Sequence, residues 1–443
     1  MAQKTAPEIY AEACKVIAGG VSRNTIYHMP HPFYASHASG SYVTDIDGVQ
    51  RVDFANNMAS LIHGHAHPAI VEAVIKQVSR GTAYTMATEA EVAHAQLLCG
   101  RVKSLEKLRF TNSGTEAVMA MMKAARAFTG RPKIAKAEGA YHGTYDFAEI
   151  SQTSSPANWG SIDSPNSVPL SFGTPQGVLE DMIIFPYNDI ERTLAILDRQ
   201  ADKIAAVMID PVPHRVGLLP GTEAFVEALK AWTEKNGALV LFDEVVTLRV
   251  GYGGAQERYS VTPDMTAMGK IIGGGFPVGA FGGKAEIMKV LDPGESKLLF
   301  PFSGTFSANP ITTTAGRVAM ELFDKNAVES LNKLTQNAII QLEEAIKTAD
   351  VPVSITGAGS MFRFHPKPVP PTTYRESYQT AKEASLVNEI LDYLYHQEKI
   401  MMINTWACMF STVMTQKEID HLVHGVFNAL KIFKPRIEET QNS

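Results

Sequence analysis

The sequence of 443 residues is poor in cysteine and contains no long apolar run. Its three cysteines, Cys14, Cys99 and Cys408, are far apart and fit neither a Cys-x-x-Cys motif nor a zinc-binding pattern. No apolar stretch approaches the roughly 18 residues that cross a bilayer, and the N-terminus lacks the pattern of a secretory signal. We therefore predict free thiols, no membrane partner and a cytoplasmic location.

An excess of positive charge is also missing. The 40 Lys and Arg residues are outnumbered by 46 Asp and Glu residues, which gives a formal charge of −6. Proteins that bind nucleic acid usually carry a basic stripe. We therefore expect no nucleic-acid partner, and we expect small molecules or other protein chains instead.

The composition is that of an ordinary globular protein, with 45% hydrophobic and 19% charged residues. Its length predicts two or three domains. Short apolar runs separated by helical patterns lie at 108–111, 132–137, 204–209, 238–242 and 277–282. Such runs are typical of a mostly parallel sheet covered by helices on both faces. The sequence therefore predicts an α/β fold.

The two ends of the chain have a different pattern. A helix is predicted at 7–17, a hairpin with an Asp-Gly turn at 41–55, and a long amphipathic helix from Thr314. We predict an N-terminal segment of the small domain at 1–66, a large domain at 67–315 and the rest of the small domain at 316–443. The segment 152–177 is too long for a routine connector, and a lid, a subunit contact and a surface excursion are all open.

The segment 111–116 follows an apolar run and opens a helix. Ser113 and Glu116 have the spacing of a capping box, and the free amides of Gly114 and Thr115 would form an anion site. A capped helix that binds nothing would have the same residues. No Gly-Lys-Ser/Thr follows, which disfavours a nucleoside triphosphate site.

Two more candidates follow predicted strands. Tyr141 could stack on a flat ligand and His142 could donate to it, although a tyrosine that merely covers a loop is also open. Asp243 ends an apolar run and needs a partner, either a metal ion or a protonated ring nitrogen. Because Asp243 and Glu244 alternate along a strand, they cannot both point inward, and we predict no metal site.

The last candidate is Lys270, which lies among apolar residues and glycines. Most lysines are solvated surface charges, but desolvation here would lower the pKa and produce a nucleophilic amine. An anion-binding helix end, an aromatic plate, a buried acid and a nucleophilic amine are what pyridoxal 5′-phosphate (PLP) requires. The four together predict a PLP site.

The chain resembles the class III (ω-type, fold-type I) aminotransferases, and within them the branch of glutamate-1-semialdehyde aminomutase and the aromatic β-amino acid aminotransferases. The matching segments are 110–116, 141–143, 241–245, 249–254, 268–270 and 303–310. The resemblance implies a large domain with a seven-stranded, mostly parallel sheet. It also implies a small α+β domain built from both ends of the chain.

The resemblance also assigns roles around the cofactor ring. It implies that Lys270 binds the cofactor covalently and then moves the substrate proton, and that Asp243 keeps the pyridine nitrogen protonated. Val245 and Tyr141 would pack on the two ring faces, with His142 beside them.

For the phosphate, the resemblance implies contacts from Ser113, Gly114 and Thr115. Thr305 would reach the phosphate of a partner subunit, which implies a homodimer with active sites at the subunit interface. Arg249 would support the loop that carries Asp243.

Three residues are candidates for substrate binding. Arg23 lies where related β-amino acid enzymes have a carboxylate-binding arginine, although an exposed surface arginine is the alternative. Arg215 replaces a usually neutral residue, which resembles the β-amino acid branch. Trp406 lies where relatives often have an arginine, and we expect it to form an apolar wall. Because 400–416 contains no Arg or Lys, recognition of a keto acid must use another cation or be weak.

The leading hypothesis is therefore a PLP-dependent aminotransferase with a ping-pong cycle. It would move an amino group from a β-amino acid, aromatic ones included, or from an amine to a keto acid. The main alternative is a glutamate-1-semialdehyde 2,1-aminomutase, and racemases and decarboxylases of this fold stay open. A PLP-binding protein without turnover is disfavoured by Lys270 and Asp243, and a nucleotide-binding module lacks its fingerprint.

Overall fold

A computed structural model describes residues 4–441 of the chain. The strands are β1 (Ala35–Ser39), β2 (Tyr42–Asp45), β3 (Gln50–Asp53), β4 (Lys107–Thr111), β5 (Lys133–Ala137), β6 (Gly160–Ser161), β7 (Ser164–Pro165), β8 (Met182–Phe185), β9 (Ile204–Ile209), β10 (Leu239–Asp243), β11 (Met265–Gly269), β12 (Gly279–Gly283), β13 (Ser354–Ala358), β14 (Met361–His365), β15 (Ile400–Met401) and β16 (Ala407–Met409).

Helices connect most of these strands. They are α1 (Ala6–Val16), α2 (Asn56–Ala59), α3 (Pro68–Val78), α4 (Glu89–Arg101), α5 (Gly114–Thr129), α6 (Asp146–Glu149), α7 (Gln176–Glu180), α8 (Ile190–Asp198), α9 (Glu223–Asn236), α10 (Ala285–Met288), α11 (Pro310–Leu322), α12 (Lys325–Ala349), α13 (Tyr374–Ser377), α14 (Ala381–His396) and α15 (Gln416–Gln441). None of the helices within residues 4–441 has the length and apolar character that crossing a membrane requires.

The central sheet has seven strands in the order β4-β12-β11-β10-β9-β5-β8. Only β12 runs antiparallel to its neighbours, so the prediction of a mostly parallel α/β sheet is confirmed. All five apolar runs form strands of this sheet. The sequence reading missed β8 and β11, because one is only four residues long and the other contains threonine and glycine.

Both faces of the sheet are covered. Along β10, Leu241 packs into the core beneath α5, whereas its neighbour Val240 packs into the core beneath α9. This alternation follows from the two-residue period of a strand. It explains why the strand is apolar at every position, as a strand buried on both faces must be.

Strands from the two ends of the chain lie in one sheet. The predicted hairpin is present as β2 and β3, and β15 extends its sheet from the C-terminal part. The predicted long helix is two helices: α11 begins at Pro310, and α12 begins after Asp324, whose side chain accepts from Ala327 N–H. The three predicted domain ranges stay predictions.

The segment 152–177 is held against the protein at its start, whereas Phe172 is fully exposed. Ser154 is buried, and its carbonyl accepts a 2.6 Å hydrogen bond from the Tyr374 hydroxyl. The Arg375 guanidinium lies 4.7 Å from the Trp159 ring centroid. The first residues of the segment are therefore anchored, and a lid, a subunit contact and a surface excursion all stay open.

Candidate active site

The capping box predicted at the start of α5 is present in part. The Ser113 hydroxyl accepts from Glu116 N–H at 3.1 Å. The Glu116 carboxylate accepts from Asn112 N–H at 2.7 Å rather than from Ser113, so the reciprocal half of the capping box is wrong. The amides of Gly114 and Thr115 precede the first bond of the helix, from Ala117 N–H to Ser113 O (3.0 Å). They lie free to bind an anion.

Two glycines allow neighbouring side chains to pack closely beside this helix end. A Cβ atom on Gly114 would lie 2.6 Å from Cγ1 of Val245. A Cβ atom on Gly143 would lie 2.6 Å from Oγ1 of Thr115. The sequence therefore brings the helix end, the loop after β5 and the loop after β10 into contact, which only glycine permits at these positions.

Asp243 ends β10 and points toward His142. The Nδ1 atom of His142 lies 2.7 Å from Oδ2 of Asp243, and Val245 N–H donates to Oδ1 at 3.0 Å. Burial lowers the pKa of His142, and its Nε2 has no hydrogen-bond partner among residues 4–441. Glu244 points the other way and accepts from Gln256, as the strand period predicts. A buried carboxylate held in this way suits a protonated ring nitrogen.

Lys270 follows β11 directly, in a left-handed conformation with φ of 49°. A lysine rarely adopts this conformation, which points to a functional constraint. Burial lowers the pKa of its amine, against the opposing charges of Asp243 and Asp210. Burial and the proximity of Asp243 raise the pKa of Asp210 well above its usual value. The lysine is therefore a candidate nucleophile in a mostly desolvated site.

A cavity of about 540 Å³ contains Lys270, Tyr141 and Arg215. The Arg215 guanidinium lies 5.1 Å from the Tyr141 ring centroid, and 40% of Tyr141 is exposed. Because β4, β5, β10 and β11 run in the same direction, the residues that follow them meet at one edge of the sheet. A more open hollow of about 620 Å³ between Asn158 and Glu180 is lined by none of the candidate residues.

The structure does not bring every candidate into the cavity. Trp406 is fully buried and stacks on Phe364 at 4.9 Å, so it is not the predicted substrate wall. Arg23 is exposed and donates to Oδ1 of Asn57 at 2.8 Å, near the cavity edge. Thr305 is exposed on the surface.

Arg249 is also outside the cavity. It is fully buried, and its guanidinium donates to Oγ of Ser360 at 2.8 Å and to the carbonyls of Ala59 and Phe410. The side chain therefore ties the loop after β10 to both ends of the chain. It does not contact Asp243 directly.

Three basic residues near the site were not assigned roles from the sequence. His214 and Arg363 line the cavity. Lys136 is fully buried in β5, and its amine donates to the carbonyls of Ala140 (2.8 Å), Ala148 (3.0 Å) and Ile150 (2.6 Å). Two of these residues could have been identified from the sequence. Lys136 lies inside an apolar strand, and Arg363 lies between two phenylalanines at 362–364.

Comparisons with known proteins agree with this geometry. Residues 23–410 match the family model described as Aminotransferase class-III. The chain is 36% identical over 441 residues to glutamate-1-semialdehyde 2,1-aminomutase 2 of Brevibacillus brevis, covering 97% of this chain and 99% of that protein.

Two solved structures are also similar. An ω-transaminase from Sphaerobacter thermophilus is 45% identical, with a TM-score of 0.94 and coverage of 97% of this chain and 98% of that one. A β-phenylalanine aminotransferase from Variovorax paradoxus is 28% identical, with a TM-score of 0.87 and coverage of 97% and 94%.

Proposed function

The chain belongs to the class III aminotransferase family, and from that premise we propose that it moves an amino group from a β-amino acid, aromatic ones included, or from an amine to a keto acid. Family membership confirms the resemblance that the sequence motifs predict, and the enzyme is of the PLP-dependent aminotransferase type. Its cofactor is pyridoxal 5′-phosphate.

The residues at the sheet edge fit this cofactor. The free amides of Gly114 and Thr115 suit the phosphate, and the buried Asp243 suits the pyridine nitrogen. Among the described residues the Nε2 of the buried His142 has no hydrogen-bond partner, and a flat ligand beside it would account for this. Bound there, PLP supplies an electron-withdrawing ring that makes the substrate C–H bond acidic.

The side chains then have separate tasks. Lys270 would hold the cofactor covalently, take the proton from the substrate carbon and return it. Asp243 would hold a proton at the ring nitrogen, and His142 would position Asp243. Tyr141 and Val245 would confine the ring, with Ser113 beside the phosphate amides.

The observation that supports this class of substrate is that both charged and apolar side chains line the cavity. Met58, Val246 and Ile403 line it together with Arg215 and Arg363, and neither arginine has a carboxylate partner in residues 4–441. Unpaired guanidinium groups favour an anionic substrate, and the apolar residues favour a hydrophobic side chain on it. An aromatic β-amino acid has both. Arg23, at the cavity edge, is the proposed contact for the donor carboxylate.

The spectrum of the purified enzyme with its cofactor tests this function. β-Phenylalanine should bleach the visible band of the bound cofactor, and pyruvate should then restore it. A keto product should be released in the first step. A band that neither β-amino acids nor amines bleach would contradict the proposal.

The second candidate is glutamate-1-semialdehyde 2,1-aminomutase, which is favoured by the 36% identical relative that covers nearly the whole chain. An aminomutase returns the amine to the molecule that supplied it. Glutamate-1-semialdehyde should then be converted to 5-aminolevulinate without any acceptor. If only that substrate turns over, the β-amino acid proposal is wrong.

We also propose a homodimer whose subunits meet around Thr305. The adjoining Phe306 is 58% exposed, and Leu298 and Leu299 are 40% and 48% exposed. A second copy would cover these apolar side chains. Light scattering should give twice the monomer mass for the wild type and a smaller mass for Phe306→Glu. Monomers of the wild type with full activity would contradict this proposal.

A further inference from the structure

Arg363 is a buried cation that has no carboxylate partner within residues 4–441. Only 5% of the residue is exposed, yet it lines the cavity that contains Lys270. Its Nη1 makes one long contact of 3.5 Å with the carbonyl of His214, and its Nε has no partner among the described residues. Burial lowers the pKa of the guanidinium to about 10, so it is charged at neutral pH. Such a group needs an anion.

The fold aims this side chain at the cavity. Arg363 lies in β14 between Phe362 and Phe364, which both belong to the apolar core. Because side chains alternate along a strand, Arg363 faces the opposite side, toward the cavity. The register pairs it with Ala407 in β16, close to the cavity residues Asn404 and Thr405.

The charged side chains that lie around His214 in the cavity, Arg215, Lys270 and Arg363, are all cations. Burial, together with the nearby charges of Arg363, Lys270 and Arg215, lowers the pKa of His214 to about 3, so the imidazole is neutral. Arg215 already lies over the Tyr141 ring. The amides proposed for the cofactor phosphate lie at the start of α5, and residues 113–115 are not among those that line the cavity of Arg363.

We propose that Arg363 binds the carboxylate of the keto acid acceptor, beside Lys270. This inference rests on the proposed aminotransferase function. An α-keto acid such as pyruvate carries its carboxylate directly on the reacting carbonyl carbon, so the cation must lie close to the reactive lysine. Arg363 meets that requirement, whereas Arg23 is exposed and bonded to Asn57. A guanidinium fork can bind the carboxylate with two parallel hydrogen bonds.

The test compares acceptors with and without a carboxylate. The holoenzyme is first converted to its amino form, and the return of the cofactor band is followed after adding pyruvate or acetaldehyde. For Arg363→Gln we expect kcat/KM for pyruvate to fall about 10- to 100-fold, the loss typical of a charge-assisted hydrogen bond. The value for acetaldehyde should change less than about twofold. Arg80→Gln, at an exposed position outside the cavity, is the matched control and should leave pyruvate unaffected.

Arg363→Lys keeps the charge but loses the fork, so it should lose less pyruvate activity than Arg363→Gln. If Arg363→Gln does not fold, the test rests on Arg363→Lys. We then expect kcat/KM to fall for pyruvate and not for acetaldehyde. Equal losses with both acceptors, or unchanged pyruvate kinetics, would overturn the proposal.

A second readout separates this inference from the proposed function. Propionate carries the carboxylate but no carbonyl, and its binding to the holoenzyme can be followed by calorimetry. Arg363→Gln should need about tenfold more propionate than the wild type or the control Arg80→Gln. If wild-type enzyme transfers no amino group to pyruvate or acetaldehyde, the proposed function fails. Propionate binding that does not depend on Arg363 would overturn its role as a carboxylate site.

Discussion

His142 and Asp243 are joined by a 2.7 Å hydrogen bond between Nδ1 and Oδ2 inside the protein. They come from the loop after β5 and the end of β10, about a hundred residues apart in the sequence. Since burial lowers the pKa of His142, the ring is neutral and donates its Nδ1 hydrogen to the carboxylate.

Loss of this hydrogen bond should impair turnover. For His142→Ala we expect kcat to fall about 10- to 100-fold, because Asp243 loses the donor that orients it. His142→Asn can place an amide hydrogen near the same position and should retain more activity. The visible band of the bound cofactor should shift in the alanine variant only. Equal activity in both variants and the wild type would contradict the positioning role.

Lys270→Ala should remove the covalent link to the cofactor. We expect turnover to be nearly lost while the fold is kept, because no other described lysine lines the cavity. Mass spectrometry after borohydride reduction measures the link directly. The exposed Lys297→Ala is the control. A cofactor that borohydride fixes to another lysine would contradict the assignment.

Gly114→Ala should weaken cofactor binding. Its Cβ would lie 2.6 Å from the stiff side chain of Val245, so the helix end or the strand loop must move. We expect the Kd for PLP to rise at least about tenfold, measured by titration of apoenzyme. Gly100→Ala in α4 is the matched control, since nothing lies within 4 Å of its Cβ position. An unchanged Kd would contradict the prediction that the close contact with Val245 limits cofactor binding.

His94 should make the protein sensitive to acid. Its Nε2 lies 2.8 Å from the carbonyl of Ile272, in the turn that carries Lys270. Burial lowers the pKa of His94 from 6.5 to about 4. The unfolded chain therefore binds more protons between these pH values, and the free energy of unfolding falls as the pH falls.

His94→Gln should reduce this pH dependence. The wild type should lose up to about 3 kcal/mol through His94 between pH 6.5 and pH 4, because each pKa unit corresponds to about 1.4 kcal/mol. Denaturant unfolding at several pH values measures the slope. The exposed His37→Gln should behave like the wild type. A His94→Gln variant with the wild-type slope would contradict the prediction.

Lys136→Met should destabilise the protein and disturb the loop of Tyr141. The change leaves three buried carbonyls without their donor, and we expect a loss of about 3–5 kcal/mol in the free energy of unfolding. Denaturant unfolding checks the loss. Lys103→Met, at an exposed position, should lie within about 0.5 kcal/mol of the wild type. A comparable loss in both variants would refute the role of the three carbonyls.

Much of the fold follows from local patterns in the sequence. Five apolar runs predicted five strands, because a strand buried on both faces must be apolar at every position. The sequence analysis missed β8 and β11, because a run of four residues and a run that contains Thr266 and Gly269 give too weak a signal. The single long helix predicted from Thr314 is divided at Asp324, whose capping side chain overrides the continuous amphipathic pattern.

The sequence by itself determined the chemistry at the sheet edge. Asp243 follows one apolar run and Gly114 opens a helix after another, and the carboxyl ends of parallel strands meet at one edge. Lys270 stood out by its apolar and glycine neighbours, although the strand before it was not predicted. Only the tertiary structure decided what faces the substrate, because that depends on strand register and on packing between distant segments. It placed Trp406 in the core and Arg363 in the cavity, on opposite faces of one small sheet.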